Sequence, residues 1–586
     1  MNKKPQNMKC SEALIKTLEK EGVEYMFGIP GHGNMHILEA IYQGSSIKFM
    51  LTRHEQGAVH IADGYARVKN KVGVCCSSVG AGAANMLMGI GTAAGGSSPV
   101  LAISGGIIST LYGKGQLQAT ERPENKTDQS YVQVLQPLVK KAWVVEHPEL
   151  IPEITHRAIV TATSGRPGPV AIEIPWDVQS QRSDMYFLEP SEHTYGKRTR
   201  AEKELTIKAS ERLINAKFPV IIAGNGAEIS GAASEIKELS ELLGAPVATS
   251  FMSKGILPED HDLSIGMVGW LGHQVAHKII REKADYLLVV GFRFSDESTS
   301  FWTEGLPFVK ENKIIQIDVI PQEIGLNYPV EIGLLGDAKA VLVEIIEIIK
   351  SKNLIRKDKQ HTINIVKEIK QNFHITIPQV ETTPLEPLKI SEDMRKVLPR
   401  NSILATDTGN HAQYFSAYYP VYGSRRLICP GSWTPMGFGP TAIIGAKLAE
   451  PETPCVCVTG DGGFYMVCQE IITAVEWNTP VVWVVFNNVC LNAIRLGQKE
   501  DYNGHIIGTE FGLTADFVAL AKSFHAEGVR VEKTRDIIPA IEYALKCGKP
   551  CVVDMIVQKD PILPPLAGDF LTPGQHIPVQ MPRSLK

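Results

Sequence analysis

Asp461 and Asn488 stand 27 positions apart, each directly after an apolar, β-rich run. The segment "VTGDGGFYMVCQE" reads as a buried strand, a turn at Gly460-Asp461-Gly462 and a helix, and the next strand ends at Asn487-Asn488 in "VVFNN". One crossover between two parallel strands puts both side chains at neighbouring carboxyl ends, where such sheets bind ligands. Two oxygen ligands there, with a backbone carbonyl just beyond, suit a hard divalent cation such as Mg²⁺. That ion takes its remaining ligands from phosphate and water. Gly462 and Gly463 open the helix, whose first amides favour the same phosphate. Asp-Gly turns and Asn-rich loops are each common alone, so the reading rests on spacing and strand context together.

A second carboxylate is placed oddly. In "TRHEQGAVHIADGYARV", residues 52–68, a helix would put Arg53, Gln56, His60, Asp63 and Arg67 on one face and Glu55, Ala58, Val59, Ala62 and Ala66 on another. Glu55 thus lies on the face expected to be buried. It must be protonated, hydrogen-bonded or still wet at the helix start, where the dipole favours a negative charge. "SSVGAGAANML" follows the strand at 72–77 but has Asn85 in place of a third glycine, so it reads as a tight helix-entry turn rather than a dinucleotide site.

Elements that could position these residues recur in three regions. Short β-rich runs alternate with helical patterns, which gives an α/β fold of three doubly wound domains with parallel sheets. The expected bounds are 1–185, 195–350, a charged, Pro-containing linker at 351–387, 388–560, and a Pro-rich tail at 561–586 read as an extended strap. The 586 residues carry 44% apolar and 21% charged side chains with a net charge of -4, an ordinary globular balance without a basic patch, so nucleic acid is not an expected partner. No uninterrupted apolar run reaches roughly 18 residues and the N-terminus lacks an apolar leader core, which excludes a membrane span on this reading and makes the cytoplasm the expected location. Ten cysteines, with no CxxC pair among them, read as small core residues in a reducing compartment.

With these motifs in place, the chain resembles the thiamine diphosphate enzymes of the acetolactate synthase type over nearly its whole length. Gly460-Asp461-Gly462 and Asn487-Asn488 resemble the family's GDG and NN signature. "RHEQGAVHIADGYAR" is similar to its glutamate helix, "GAGAAN" to the following turn, "GRPGPVAIEIPWDV" to the end of the first domain and "PMGFGPTAIIGAKLA" to the cofactor-wedge segment. The resemblance implies pyrimidine-binding, central and diphosphate-binding domains, in that order. It implies that Asp461, Asn488 and the main-chain oxygen of Cys490 hold Mg²⁺ and through it the diphosphate, beside Gly460, Gly462 and Gly463. Gly409, Asn410 and His411 in "TDTGNHAQ" would contact the diphosphate, with Asn410 in place of the family's usual Gln. Met436 would be the apolar wedge that bends the cofactor, and the backbone of Thr434 and Met436 would meet the aminopyrimidine. Glu55 would hydrogen-bond the pyrimidine N1′, favouring the imino tautomer whose 4′ nitrogen removes the thiazolium C2 proton, while a low-polarity setting tunes its carboxyl for proton exchange. The cofactor carries the carbanion chemistry and the protein its shape and proton state.

The implied activity is Mg²⁺-dependent C–C cleavage and formation on a 2-oxo acid, decarboxylation with carboligation. The alternatives are a 2-hydroxyacyl-CoA lyase or oxalyl-CoA decarboxylase-like reaction, or C–C hydrolysis of a cyclic 1,2-dione. Ile494 and Gly497 stand where acetohydroxyacid synthases carry Val and Trp, and "GFRFSDESTS" keeps only part of their middle-domain motif, which leaves FAD, ADP or an empty central domain open. His32 in "FGIPGHGNM" is a candidate acid/base near the reacting carbon or a turn histidine bonded to backbone. Gln116 in "GKGQLQ" matches a family glutamine near the thiazolium. Arg495 could bind an anionic substrate or a carboxylate of the protein. The two halves of the site come from different subunits in this family, so the expected assembly is a homodimer at minimum, extending to a homotetramer.

Overall fold

The computed structural model describes residues 4–119, 130–190, 198–303, 305, 307–309, 311–353, 356, 358–373, 377 and 381–561. The proposed strap after residue 561 lies outside them. Three six-stranded, all-parallel sheets follow one another along the chain, each flanked by helices, as expected for three doubly wound domains. Their strands are Val/Ile/Leu-rich runs such as Val481–Asn487, buried at every position because helices cover both faces.

The first sheet runs Lys48–Leu51, Tyr25–Gly28, Gly73–Ser77, Val100–Gly106, Val170–Pro175, Ala142–Val144. The third runs Leu427–Ile428, Ile403–Thr406, Cys455–Gly460, Val481–Asn487, Cys551–Ile556, Glu527–Val531. Numbered along the chain, both have the order 2-1-3-4-6-5. The two regions that lack an obvious sequence repeat therefore share one topology. In each, the winding reverses between the first and third strands, so a crevice opens there at the carboxyl ends. The middle sheet has the order 3-2-1-4-5-6, with its reversal between Pro219–Ala223 and Tyr286–Val290.

Helix Glu55–Lys69 differs from its expected two-faced pattern. It follows the second strand of the first sheet, and helix Phe438–Ala449 follows the second strand of the third; the two equivalents pack against each other. The stripe read as polar is buried as well, with His60 and Asp63 fully enclosed, because the third domain covers it. Asp63 pairs with Arg67 at 2.7 Å, whose guanidinium also reaches the Cys429 carbonyl and lies over the Phe438 ring. Close approach depends on two glycines: a Cβ on Gly64 would stand 2.0 Å from the Ala442 carbonyl oxygen, and one on Gly445 1.9 Å from that of Ile61.

The segment read as a linker contains helix Lys359–Asn372, whose Val366 and Ile369 join the core on one face of the middle sheet. All ten cysteines are free thiols and eight are buried, in keeping with a core role. Among the described residues no helix is long and apolar enough to cross a membrane.

Candidate active site

The sequence-derived residues gather in two clusters, at the crevices of the first and third sheets. In the first, Glu55 opens its helix, and the His54 side chain caps it by accepting the Gln56 amide at 3.1 Å. Glu55 is 8% exposed, yet its carboxylate is partnered: Asn85 Nδ2 donates to Oε2 at 2.9 Å. Gly82 leaves room for the carboxylate, since a Cβ there would lie 3.1 Å from Oε1. The Gly80–Asn85 segment, read from sequence as a helix-entry turn, is therefore also the support for Glu55.

A third-domain side chain reaches into this cluster. Glu470 Oε1 accepts the amides of Arg53 and His54, both at 2.9 Å, and Oε2 accepts the Thr473 hydroxyl at 2.6 Å. Burial pushes the Glu470 carboxyl up, and these donors oppose the shift. His32 is exposed on the loop at the first crevice, where Gly33 N donates to Ser78 Oγ at 3.2 Å. Gln116 uses its side-chain amide within its own loop, bonding both the carbonyl and the amide of Ile108 at 2.9 and 3.1 Å. The Gln118 carbonyl of that loop lies over Gly80, whose φ is +61° and where a Cβ would be 2.4 Å away.

The second cluster sits where Cys455–Gly460 pairs in parallel with Val481–Asn487, Gly460 opposite Phe486. That register places Asp461 and Asn488 side by side. Asp461 is almost fully buried; Oδ1 accepts the Gly462 amide at 2.8 Å and Oδ2 the Val489 amide at 2.7 Å. Burial outweighs these amides and pushes its carboxyl up to about 6. Asn488 Oδ1 lies 3.2 Å from Cys490 Sγ. Gly462 is required here, because a Cβ would meet Leu491 Cδ2 at 2.5 Å and Met436 Cε at 3.1 Å. Met436 is thus brought against the Gly460-Asp461-Gly462 turn, next to Thr434, which adopts φ +46°. Gly409 has φ +154° and packs on the His411 ring; His411 is buried, its Nε2 is 3.0 Å from the Asp407 carbonyl oxygen, and burial lowers its pKa to about 4. As a neutral ring, its Nε2–H donates to that carbonyl.

Arg495 pairs with Glu510 and Asp560, both at 3.0 Å, so its partners are carboxylates of the chain itself. Of three residues central to these clusters, Asn85 was noted from sequence only as standing in place of a third glycine, and Glu470 and Asp407 were given no role. Asp407 offers a signal in hindsight, a charged residue placed immediately after the buried strand Ile403–Thr406.

Family models match along the chain in the order of the three sheets: "Thiamine pyrophosphate enzyme, N-terminal TPP binding domain" over residues 8–127, the "central domain" over 206–345 and the "C-terminal TPP binding domain" over 407–555. They define a thiamine pyrophosphate-dependent enzyme. The chain is 35% identical over 585 residues to a probable acetolactate synthase large subunit of Methanococcus aeolicus, covering 97% of this chain and 94% of that one. It is 36% identical over 567 residues to a probable acetolactate synthase large subunit of Methanocaldococcus jannaschii, covering 95% and 93%. Acetolactate synthase isozyme 3 large subunit of Escherichia coli strain K12 is 31% identical over 541 residues, 92% of each chain. The chain belongs to the acetolactate synthase-like family of thiamine pyrophosphate enzymes.

Proposed function

We propose that the protein decarboxylates a 2-oxo acid and joins the remaining fragment to a second carbonyl, using thiamine diphosphate and Mg²⁺. The observation that carries this reading is the pairing of a buried, hydrogen-bonded Glu55 at one crevice with the Asp461–Asn488–Cys490 oxygen set at the topologically equivalent one.

The residues fit the cofactor. A carboxylate, an amide oxygen and a main-chain carbonyl form a hard donor set, and a cation there would offset the burial of Asp461. Gly409 and Gly462 let the two turns run tight against His411, Leu491 and Met436, which a Cβ at either position would strike, and the backbone amides that open the helix after Gly460 suit a diphosphate. Met436 presents an apolar side chain beside Gly462. When bound, thiamine diphosphate supplies an acidic ring carbon that becomes the nucleophile toward the substrate carbonyl. Glu55 holds and exchanges a proton at the pyrimidine edge, and Asn85 fixes the direction of its carboxylate. His32, exposed on the lip of the first crevice, is the candidate acid/base toward a substrate oxygen.

We infer a homodimer at minimum in which the first domain of one copy covers the third domain of the other, consistent with a homotetramer of two such pairs. Large apolar side chains around the second cluster support it: Met466, Ile494, Ile507 and Leu513 are 55, 61, 79 and 90% exposed in the single chain. In the middle domain, the crevice between Pro219–Ala223 and Tyr286–Val290 is where a nucleotide such as FAD or ADP would enter; visible flavin absorbance of the purified protein separates FAD from ADP or an empty crevice.

The test is a substrate panel on the Mg²⁺- and thiamine diphosphate-loaded enzyme: pyruvate alone, pyruvate with 2-oxobutyrate or glyoxylate, 2-hydroxyacyl-CoA and oxalyl-CoA thioesters, and a cyclic 1,2-dione. CO₂ release with a 2-hydroxy-3-oxo acid as product is expected, its 2-substituent set by the acceptor. Turnover of only a CoA thioester or the dione would overturn it.

A further inference from the structure

Asp407 is buried to 1% exposure at the end of strand Ile403–Thr406, on the crevice of the third sheet, and the reading of "TDTGNHAQ" above gives it no role. Its carboxylate gathers donors from two segments. Oδ2 accepts the Gly437 amide at 2.9 Å and the Thr459 hydroxyl at 3.0 Å, and Oδ1 accepts the Gly439 amide at 3.3 Å. Its own carbonyl receives His411 Nε2 at 3.0 Å. The next residue continues the pattern, with Thr408 Oγ1 donating to the Pro435 carbonyl at 2.9 Å. Gly463 presses on the same carboxylate, since a Cβ there would stand 2.3 Å from Oδ2.

The Asp407 side chain therefore ties its own turn, 407–411, to two other backbone segments, the wedge turn 434–439 and the strand end and turn 459–463. Each carries residues assigned above to the cofactor. The wedge turn needs such a support, because it twice enters the left-handed region, at Gly437 with φ +87° and, against its own Cβ, at Thr434 with φ +46°. A buried carboxylate is costly without full hydrogen bonding, so a site that only required packing would be filled by an apolar residue.

We propose that Asp407 is a positioning residue that fixes the wedge turn relative to the Gly460-Asp461-Gly462 turn, and thereby sets the bent geometry in which the cofactor is held. The inference rests on the thiamine diphosphate reading. Asn at 407 keeps the shape but must turn its NH₂ toward either the Gly439 amide or the Gly437 amide, a donor facing a donor. At least one hydrogen bond to the turn is lost.

Asp407→Asn is compared with the wild type in three measurements. In cofactor-free protein, deuterium exchange of the peptide spanning 435–440 should accelerate about tenfold or more, the loss expected for one charge-assisted bond, while peptides of the middle domain exchange unchanged. The dissociation constant for thiamine diphosphate at saturating Mg²⁺ should rise about tenfold or more. The kcat on the 2-oxo acid should fall by a similar factor, with KM inside about threefold, because the turn bears on the cofactor rather than on the substrate. Wild-type exchange and cofactor affinity in a folded Asp407→Asn protein would overturn the proposal. If that variant does not fold, Thr459→Val, which removes one donor at nearly constant shape, takes its place. Cofactor affinity weakened several-fold supports the proposal, and unchanged affinity overturns it. Failure of the wild type to bind thiamine diphosphate would sink the cofactor reading itself and is a separate result.

Discussion

Asn85 Nδ2 donates to Glu55 Oε2 across 2.9 Å, so the carboxylate that begins helix Glu55–Lys69 is aimed by a residue of the Gly80–Asn85 turn. Removing the donor should disorient Glu55 without removing it. Asn85→Ala is expected to lower kcat about tenfold, the weight of one hydrogen bond to a charged group, with little change in KM. Asn85→Asp should be worse, since it replaces the donor with a second acceptor facing Glu55 Oε2. Steady-state kinetics across pH check both. Wild-type kcat in both variants would remove Asn85 from the account.

The glycine contact between helices Glu55–Lys69 and Phe438–Ala449 is expected to tolerate no side chain. Gly64→Ala and Gly445→Ala each place a methyl within 2.0 Å of a carbonyl oxygen across the interface. Relief requires the helices to part, and overpacking of this kind costs about 1–3 kcal/mol or more. Thermal unfolding should show a lowered midpoint for each. Equal midpoints would mean that the two domains do not pack this way.

His60 predicts an acid sensitivity. It is fully enclosed, with Nε2 3.3 Å from Thr92 Oγ1 and its ring edge-on to Phe438, and burial lowers its pKa from 6.5 to about 4. Above pH 6.5 neither folded nor unfolded chain holds the proton. Between 6.5 and 4 the unfolded chain takes it up and the folded chain does not, so stability present at neutral pH is lost as the pH falls. A shift of this size corresponds to on the order of 3 kcal/mol. His60→Gln should flatten the fall of the thermal midpoint between pH 7 and 4; an unchanged slope would contradict the burial of a neutral ring.

What could be read from the sequence follows from what is local. Strand, turn and helix around Asp461 and Asn488 are set by residues within one crossover, so period and punctuation suffice to place them side by side. The three-sheet architecture was legible for the same reason. The environment of Glu55 was not, because Asn85 lies on another turn and Glu470 arrives from another domain, over 400 positions away. Helix Glu55–Lys69 misled for a related reason: a polar stripe of His60, Asp63 and Arg67 looks solvated until a second domain supplies Phe438 and the Cys429 carbonyl to cover it. Asp407 escaped notice because a lone Asp at a strand end resembles any turn residue until its donors from Gly437, Gly439 and Thr459 are in place.

The central claim is that Glu55 carries the proton exchange that activates bound thiamine diphosphate. Its most direct test is the turnover of pyruvate by Glu55→Gln beside the wild type, both saturated with thiamine diphosphate and Mg²⁺ and matched for thermal midpoint. Loss of an acid/base group predicts a kcat lower by about 100-fold or more. A Glu55→Gln enzyme that turns over at the wild-type rate would contradict the account.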